Sequence, residues 1–126
     1  MKVLCDSHIL VWWLDSPGRQ LSPRAQEILR DPGNELFFSA ASIWELGLKI
    51  AKGKLIMPSG FVQALREDGF LELPVRSDHA ERATALAAIH GDPFDRMLVS
   101  QTLAEKMVLI TRDHAILEYD VPFIEG

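Results

Sequence analysis

The sequence has almost no cysteine and no long apolar run. Cys5 is the only cysteine in 126 residues, which excludes an internal disulfide and a zinc site built from several thiolates. No apolar stretch approaches the ~18 residues that a membrane-spanning helix needs. Asp6 and His8 interrupt the apolar start that would otherwise suggest a secretory signal. We therefore expect a cytoplasmic protein with no membrane partner.

An excess of positive charge is also missing. Thirteen Lys and Arg residues stand against eighteen Asp and Glu residues, for a net charge of −5, whereas a phosphate-binding surface is usually basic. A divalent cation held by some of these acids would reverse the charge locally. The composition therefore does not exclude a nucleic-acid partner.

The chain shows no internal repeat, low-complexity tract or linker-like stretch. Its hydrophobic fraction of 48% and charged fraction of 25% are ordinary for a folded globular protein. A chain of this length buries one sizeable core. We expect a single domain over residues 1–126.

Short apolar runs alternate with stretches of helical spacing. Three uninterrupted runs are typical of strands covered on both faces of a parallel sheet, and two weaker candidates join them: residues 3–5, 36–38, 108–110, 71–73 and 122–124. Capping signals predict helices that begin after Ser22, Ser39, Ser59, Ser77 and Asp92 and end near residues 29, 52, 66, 89 and 106. This alternation predicts a three-layer α/β/α fold.

Four acidic residues, far apart in the chain, are predicted to meet at the carboxyl edge of the sheet. Asp6 directly follows the first strand, and Asp113 lies three residues past the end of the strand at 108–110. Glu45 and Asp95 lie in the early turns of helices that begin at the same edge. Ligands of such folds bind along this edge.

Converging carboxylates require a cation. Two charges 4 Å apart repel by roughly 4 kcal/mol at an effective dielectric constant near 20. No histidine or cysteine lies beside these acids in a zinc-ligand spacing, and an all-oxygen ligand set suits hard ions such as Mg²⁺ or Mn²⁺.

Three of the four acids also have a structural interpretation. Glu45 fits a capping box or a helical ion pair with Lys49. Asp95 suits a helix start, and Asp113 is placed to cap a short helix ending at Leu117. Asp6 is expected to have little structural use at the end of a buried strand.

Four segments resemble the acidic motifs of one known family. Residues 4–14 (LCDSHILVWWL) resemble the opening of PIN-domain ribonucleases, specifically the VapC toxins of bacterial toxin–antitoxin pairs. Residues 39–45, 92–98 and 109–113 resemble the family's second, third and fourth acidic segments. The motifs occur in order and span nearly the whole chain.

The resemblance implies a PIN fold with a short five-stranded parallel sheet and Mg²⁺- or Mn²⁺-dependent endoribonuclease activity. It implies a VapB-like antitoxin as partner, and a homodimer. Its acidic positions map onto Asp6, Glu45, Asp95 and Asp113. By hypothesis Asp6, Asp95 and Asp113 hold the metal, while Glu45 orients the attacking water or acts as base. The products would carry 5′-phosphate and 3′-hydroxyl ends.

Four neighbouring side chains are candidates for supporting roles. The hydroxyls of Ser7 and Thr111 are expected to bond a carboxylate or a metal-bound water, or else to serve as turn and cap residues. Arg96 and Arg112 flank the acids and are expected to steer phosphate, or to pair with the adjacent aspartate.

Trp12 and Trp13 cannot both face the core from adjacent helical positions. One of them is expected near the surface, as part of a groove for the antitoxin or as a partly buried edge tryptophan.

Other folds with an acidic edge fit less well. A receiver domain needs adjacent acids after the first strand, but Ser7 follows Asp6, and residues 121–124 contain no lysine. An aspartyl phosphatase needs a second aspartate where His8 stands, and no P-loop is present. The remaining alternative is a catalytically silent PIN scaffold that binds RNA or a protein partner.

Overall fold

A five-stranded parallel sheet with helices on both faces forms the centre of the protein. The computed structural model describes residues 1–15, 20–86 and 91–126. The strand order is β3-β2-β1-β4-β5, and every adjacent pair is parallel. The strands are β1 (Lys2–Cys5), β2 (Glu35–Ser39), β3 (Leu71–Leu73), β4 (Val108–Thr111) and β5 (Phe123–Glu125). The predicted fold class is confirmed.

Seven helices lie in the described ranges, and three of the predicted caps are confirmed. The helices are α1 (Ser7–Leu14), α2 (Pro23–Arg30), α3 (Ala40–Ala51), α4 (Phe61–Glu67), α5 (Ser77–Ala85), α6 (Pro93–Ala104) and α7 (His114–Leu117). The side chains of Ser22, Ser39 and Asp92 accept backbone N–H groups in the first turns of α2, α3 and α6. These bonds satisfy donors that have no partner within the helix.

Two predicted caps are wrong. The cap of α4 is Gly60 in place of Ser59, and its φ of 81° is a left-handed conformation that glycine adopts without strain. The cap of α5 is Arg76, and Ser77 is already helical. There the imidazole of His79 supplies the acceptor, taking the Arg76 backbone N–H at 3.0 Å. The predicted end of this helix near residue 89 lies outside the described residues.

The two sheet faces bury separate apolar clusters, because successive strand residues point to opposite faces. Val3 and Cys5 face α1, α2 and α4. Leu4 and Leu109 face α6 and α7, and α5 packs on the outside of α6. None of the helices in the described ranges has the length and apolar character of a membrane span.

The strand order places a crevice between the ends of β1 and β4. From β1 the chain adds β2 and β3 on one side, and β4 and β5 extend the sheet on the other. Ligands in open α/β sheets bind at such a point of reversal. Helix α3 contacts both α1 and α6, so it closes the crevice and brings a further acidic side chain to it.

Candidate metal and catalytic site

The four predicted acids line one small cavity at this crevice, which we call the acid pocket. Its volume is about 90 Å³. Its lining residues are Asp6, Ser7, His8, Glu45, Lys49, Asp92, Asp95, Leu98 and Asp113. The predicted convergence is therefore present in the structure, and among the described residues Lys49 is the one lysine or arginine in the lining.

Asp6 is held on both carboxylate oxygens. It is 4% exposed. Its Oδ1 accepts the backbone N–H groups of His8 at 2.9 Å and Ile9 at 3.2 Å, which makes Asp6 the N-cap of α1. The expectation that Asp6 has little structural use is wrong, since α1 begins directly after β1 and leaves N–H donors to be satisfied. Oδ1 already accepts two donors, whereas Oδ2 accepts the Thr111 hydroxyl and keeps a further lone pair for a cation.

Thr111 connects two of the acids. Its hydroxyl donates to Oδ2 of Asp6 and accepts the backbone N–H of Asp113 at 3.1 Å. The expected hydrogen bond from Thr111 to a carboxylate is confirmed. Asp113 in turn accepts the N–H of Ala115 at 2.9 Å and caps α7, as its structural interpretation proposed. Asp113 therefore both caps α7 and lines the acid pocket.

Glu45 reaches the acid pocket from α3. Ser7 donates its hydroxyl to Oε1 of Glu45, so its expected bond to a carboxylate is also confirmed. Lys49 lies 3.6 Å from Oε2, one turn further along the helix, which confirms the predicted ion pair. The capping box is not formed, because the N-cap of α3 is Ser39 and Ser42 lies inside the helix.

Asp95 carries the clearest electrostatic signature of the acid pocket. It is 9% exposed, and its pKa is raised from 3.8 to about 8. Burial is the largest cause, followed by the charge of Asp92, the charge and hydrogen bond of Asp113, and the charge of Glu45. Burial also raises the pKa of Asp6. The acid pocket therefore holds more negative charge than its own groups neutralise.

A hard divalent cation matches this donor set. The carboxylates supply oxygen ligands only, and the raised pKa of Asp95 shows the cost of ionising it without a positive partner. Magnesium and manganese favour such oxygen ligands. The acid pocket thus offers oxygen donors that suit a metal ion, among them those of Asp6, Asp95 and Asp113.

A tighter group of ligand-type side chains lies elsewhere and has a different explanation. In the described ranges, ligand atoms of Asp78, His79 and Glu105 all lie within 4.8 Å of one another. Arg76 donates to Asp78 at 3.0 Å and to Glu105 at 2.8 Å, and its backbone N–H occupies Nδ1 of His79. We interpret this group as an ion-pair network that anchors α5 to the end of α6, because Arg76 already supplies the positive charge.

The two arginines differ in position. The expectation that Arg96 faces the acids is wrong: its guanidinium donates to the carbonyls of Ala83 at 2.8 Å and Leu86 at 2.9 Å. Adjacent helical residues point about 100° apart, so Asp95 faces the acid pocket while Arg96 faces α5. Arg112 does flank the acids.

Arg112 belongs to a second cavity that adjoins the acid pocket. This cavity of about 240 Å³ is lined by Asp6, His8, Trp12, Arg112 and Asp113, and we call it the Trp12 cavity.

Trp12 and Trp13 are both half-buried and take different environments. Trp13 donates its indole N–H to Asp68 at 2.9 Å and meets Phe70 edge-on, with ring centroids 6.0 Å apart. Trp12 lies against Arg112 in the wall of the Trp12 cavity. The expectation that only one of them faces the core is wrong, because both pack against the same apolar cluster; Trp12 also borders the acids through the Trp12 cavity. Its role toward an antitoxin stays a prediction.

Sequence reasoning missed an aromatic pair on the other side of the acids. Trp44 is 65% exposed and meets Phe94 at a centroid distance of 5.3 Å. They line a groove of about 510 Å³, which we call the Trp44 groove, together with Ala40, Ala41, Leu48, Val75, Pro93 and Met97. The available signal was that each aromatic residue directly precedes one of the acids, Glu45 and Asp95.

Comparison with known proteins places these features in context. A family model described as PIN domain matches residues 3–122. One curated relative, Ribonuclease VapC22 of Mycobacterium tuberculosis, is 26% identical over 123 residues, which are 95% of this chain and 93% of the relative.

Solved structures share the fold across the whole chain. VapBC2 from Rickettsia felis, bound to a DNA fragment from its promoter, aligns with a TM-score of 0.72 at 13% identity, covering 100% of this chain and 99% of that one. VapBC-1 from nontypeable Haemophilus influenzae aligns with a TM-score of 0.70 at 17% identity, covering 99% and 98%. A toxin–antitoxin complex from Klebsiella pneumoniae aligns with a TM-score of 0.66 at 21% identity, covering 98% and 96%.

Proposed function

The chain belongs to the PIN domain family, and on that premise we propose that it is a metal-dependent endoribonuclease, the toxin of a toxin–antitoxin pair. The observation that carries the proposal is the acid pocket, where acids from four separate segments share one cavity. The curated relative is named a ribonuclease, and two of the structural neighbours are VapBC structures. The proposal treats residues 1–126 as one domain.

The metal is proposed to be Mg²⁺, with Mn²⁺ as substitute. Asp6, Asp95 and Asp113 would hold it through carboxylate oxygens or bound waters. When bound, such an ion supplies an activated water and stabilises the leaving 3′ oxygen of the cleaved phosphodiester.

The side chains of the acid pocket then have distinct tasks. Glu45 orients the attacking water and accepts its proton, and the Ser7 hydroxyl fixes the carboxylate that does so. Thr111 fixes Asp6 and the backbone of Asp113 relative to one another. Attack on the backbone phosphorus in line with the 3′ oxygen leaves a 5′-phosphate and a 3′-hydroxyl.

Two protein partners belong to the proposal. The first is a VapB-like antitoxin, in keeping with the assemblies that the structural neighbours form. The second is another copy of this chain, expected from the family resemblance. A search of the flanking genome for a small upstream antitoxin gene, followed by co-expression and co-purification of its product with this chain, tests the first.

RNA cleavage with and without metal tests the activity. Cellular RNA incubated with the protein and Mg²⁺ or Mn²⁺ should be cut, and EDTA should prevent it. Asp6→Asn should lower the rate by roughly 100-fold or more, the scale of losing one preorganised electrostatic partner. Asparagine is as good an N-cap as aspartate, so α1 and the melting temperature should be kept.

Asp31→Asn is the matched control. Asp31 is an exposed aspartate that accepts the backbone N–H of Gly33 at 2.8 Å, away from the acids. Its variant should cleave like the parent protein. Equal cleavage by the Asp6 variant would refute the assignment, and RNA binding without cleavage by the parent would favour the silent scaffold.

A further inference from the structure

The Trp12 cavity adjoins the acid pocket. Asp6 and Asp113 line both. Any chain molecule whose reacting phosphate lies at these acids must extend to one side or the other, and the Trp12 cavity is one of the adjoining spaces. Its chemistry therefore bears on which substrate the site accepts.

Two rings one helical turn apart form the aromatic wall of this cavity. His8 and Trp12 lie at i and i+4 on α1, with ring centroids 6.1 Å apart and planes inclined by 45°. His8 is exposed and Trp12 is half-buried. Bases of single-stranded RNA are recognised by stacking on aromatic side chains of this kind.

A fixed guanidinium completes the wall. Arg112 lies over the Trp12 ring, 4.7 Å from its centroid. Its Nε donates to the carbonyl of Gly126 and its Nη2 to the carbonyl of Gln20, both at 2.7 Å. These bonds hold the guanidinium plane in place. A guanidinium both stacks on bases and attracts phosphate, so the cavity offers the two contacts that a nucleotide needs.

We propose that the Trp12 cavity is a nucleotide subsite beside the scissile phosphate. It takes one unpaired base of a single-stranded RNA against Trp12 and His8, with the neighbouring backbone phosphate facing Arg112. The inference rests on the proposed ribonuclease function and names the conformation of its substrate. An amphipathic antitoxin segment is the competing occupant. The wall combines a cation with two rings, which matches the phosphate and base of a nucleotide, whereas the apolar face of an amphipathic segment would leave the charges of the wall without partners.

Paired tryptophan variants test the subsite. Trp12→Leu and Trp44→Leu each remove a ring and keep apolar bulk, on opposite sides of the acids. Binding of short, randomised, fluorescently labelled single-stranded oligoribonucleotides is measured by anisotropy in the non-cleaving Asp6→Asn background. Trp12→Leu should weaken binding by roughly 5- to 100-fold, the scale of one lost base stack. Trp44→Leu should change it little, and Trp12→Tyr should restore most of the affinity.

Cleavage by the same variants in the active background separates this inference from the proposed function. Cleavage with unchanged KM in Trp12→Leu refutes the subsite and keeps the ribonuclease. Trp12-dependent binding without cleavage by the parent keeps the subsite and refutes the ribonuclease. Failure of the parent to bind or cleave overturns both. Loss of antitoxin binding by Trp12→Leu with RNA affinity intact assigns the cavity to the antitoxin and overturns the inference.

A second variant covers the case in which Trp12→Leu does not fold. His8→Ala removes the exposed ring and leaves the core contacts of Trp12 in place. It should weaken oligoribonucleotide binding severalfold with an unchanged melting temperature. Unaltered affinity in His8→Ala, with a misfolded Trp12→Leu, would count against stacking in this cavity.

Discussion

Two surfaces with exposed or half-buried aromatic rings flank the acid pocket, and they differ in the charge of their other lining residues. The Trp12 cavity contains a guanidinium and shares two carboxylates with the acid pocket. The Trp44 groove is lined by apolar side chains throughout, and its tryptophan is 65% exposed. Charged and aromatic walls suit a nucleic-acid strand, whereas an exposed, wholly apolar surface marks a contact with protein.

Helix geometry explains how the two surfaces lie so close without mixing. In α3, Glu45 and Lys49 line the acid pocket while Trp44 and Leu48 line the Trp44 groove. Each pair has i, i+4 spacing, and the pairs are offset by one residue, or about 100°. The charged side chains of α3 therefore lie along one stripe of the helix, and its apolar side chains lie along the adjacent stripe. A one-residue offset in sequence is enough to separate the charged side chains of the acid pocket from the apolar side chains of the Trp44 groove.

Among the variants that compare the two flanks, Thr111 should give the largest effect, because it holds the wall that the acid pocket and the Trp12 cavity share. Thr111→Val keeps the shape of the side chain and removes the bonds to Asp6 and to the Asp113 backbone. Loss of such an outer partner lowers activity or metal affinity by roughly 10- to 100-fold. Steady-state cleavage rates at several Mg²⁺ concentrations measure both the loss of activity and the loss of metal affinity.

Thr102→Val is the matched control for Thr111. Thr102 is equally buried, and its hydroxyl donates to the carbonyl of Leu98 at 2.7 Å within α6. Both variants should lose a similar stability of about 1 kcal/mol, but the Thr102 variant should keep its cleavage rate. Parallel losses of activity in both would show that Thr111 acts on the fold alone.

Trp44→Glu tests the other flank. We expect the Trp44 groove to be covered by a second copy of the chain, in line with the homodimer implied by the family resemblance. A buried carboxylate at this position would be unpaired in a self-contact and would oppose it. Light scattering after gel filtration should show the mass falling to that of the monomer, with oligoribonucleotide affinity per chain largely kept.

Trp12→Glu provides the comparison for the Trp44 variant. It should keep the mass of the parent protein and lose RNA affinity instead. A parent protein that is already monomeric, or a Trp44 variant with unchanged mass, would remove the self-contact from the Trp44 groove. The assignment of the Trp12 cavity to RNA and of the Trp44 groove to a protein contact would then no longer hold.

The sequence alone predicted the sheet and the convergence of acids because both depend on short-range patterns. Uninterrupted apolar runs indicate buried strands, and capping residues mark where α2, α3 and α6 begin. Parallel topology then brings strand ends and helix starts to one edge. The position of Asp6 after β1 follows from that logic without any knowledge of side-chain packing.

Other features depend on tertiary contacts that no local pattern encodes. The acceptor for the first turn of α5 is an imidazole from within the helix, His79, where a serine was expected. The direction of Arg96 follows from the path of α5, which is set by packing. The Trp44 groove forms only because α3 and α6 bring Trp44 and Phe94 together.

The last comparison concerns Asp95, which faces the acid pocket while its neighbour Phe94 faces the Trp44 groove. Its pKa is about 8 in the folded protein and near 3.8 when unfolded. Between these values the folded state keeps a proton that the unfolded state has released. The free energy of unfolding of the metal-free protein should therefore fall as pH rises from about 4 to about 8 and level off above that.

Thermal melting in EDTA across this pH range measures how steeply the stability of the protein falls with pH. Asp95→Asn should flatten it, and Mg²⁺ added at pH 8 should raise the melting temperature of the parent protein more than that of the variant. Asp78→Asn is the control, because Arg76 lowers the pKa of Asp78 and confines its titration to more acidic solution. A slope that survives in the Asp95 variant would place the excess charge on other groups. Asp95 would then no longer be the side chain that marks the acid pocket as a metal site.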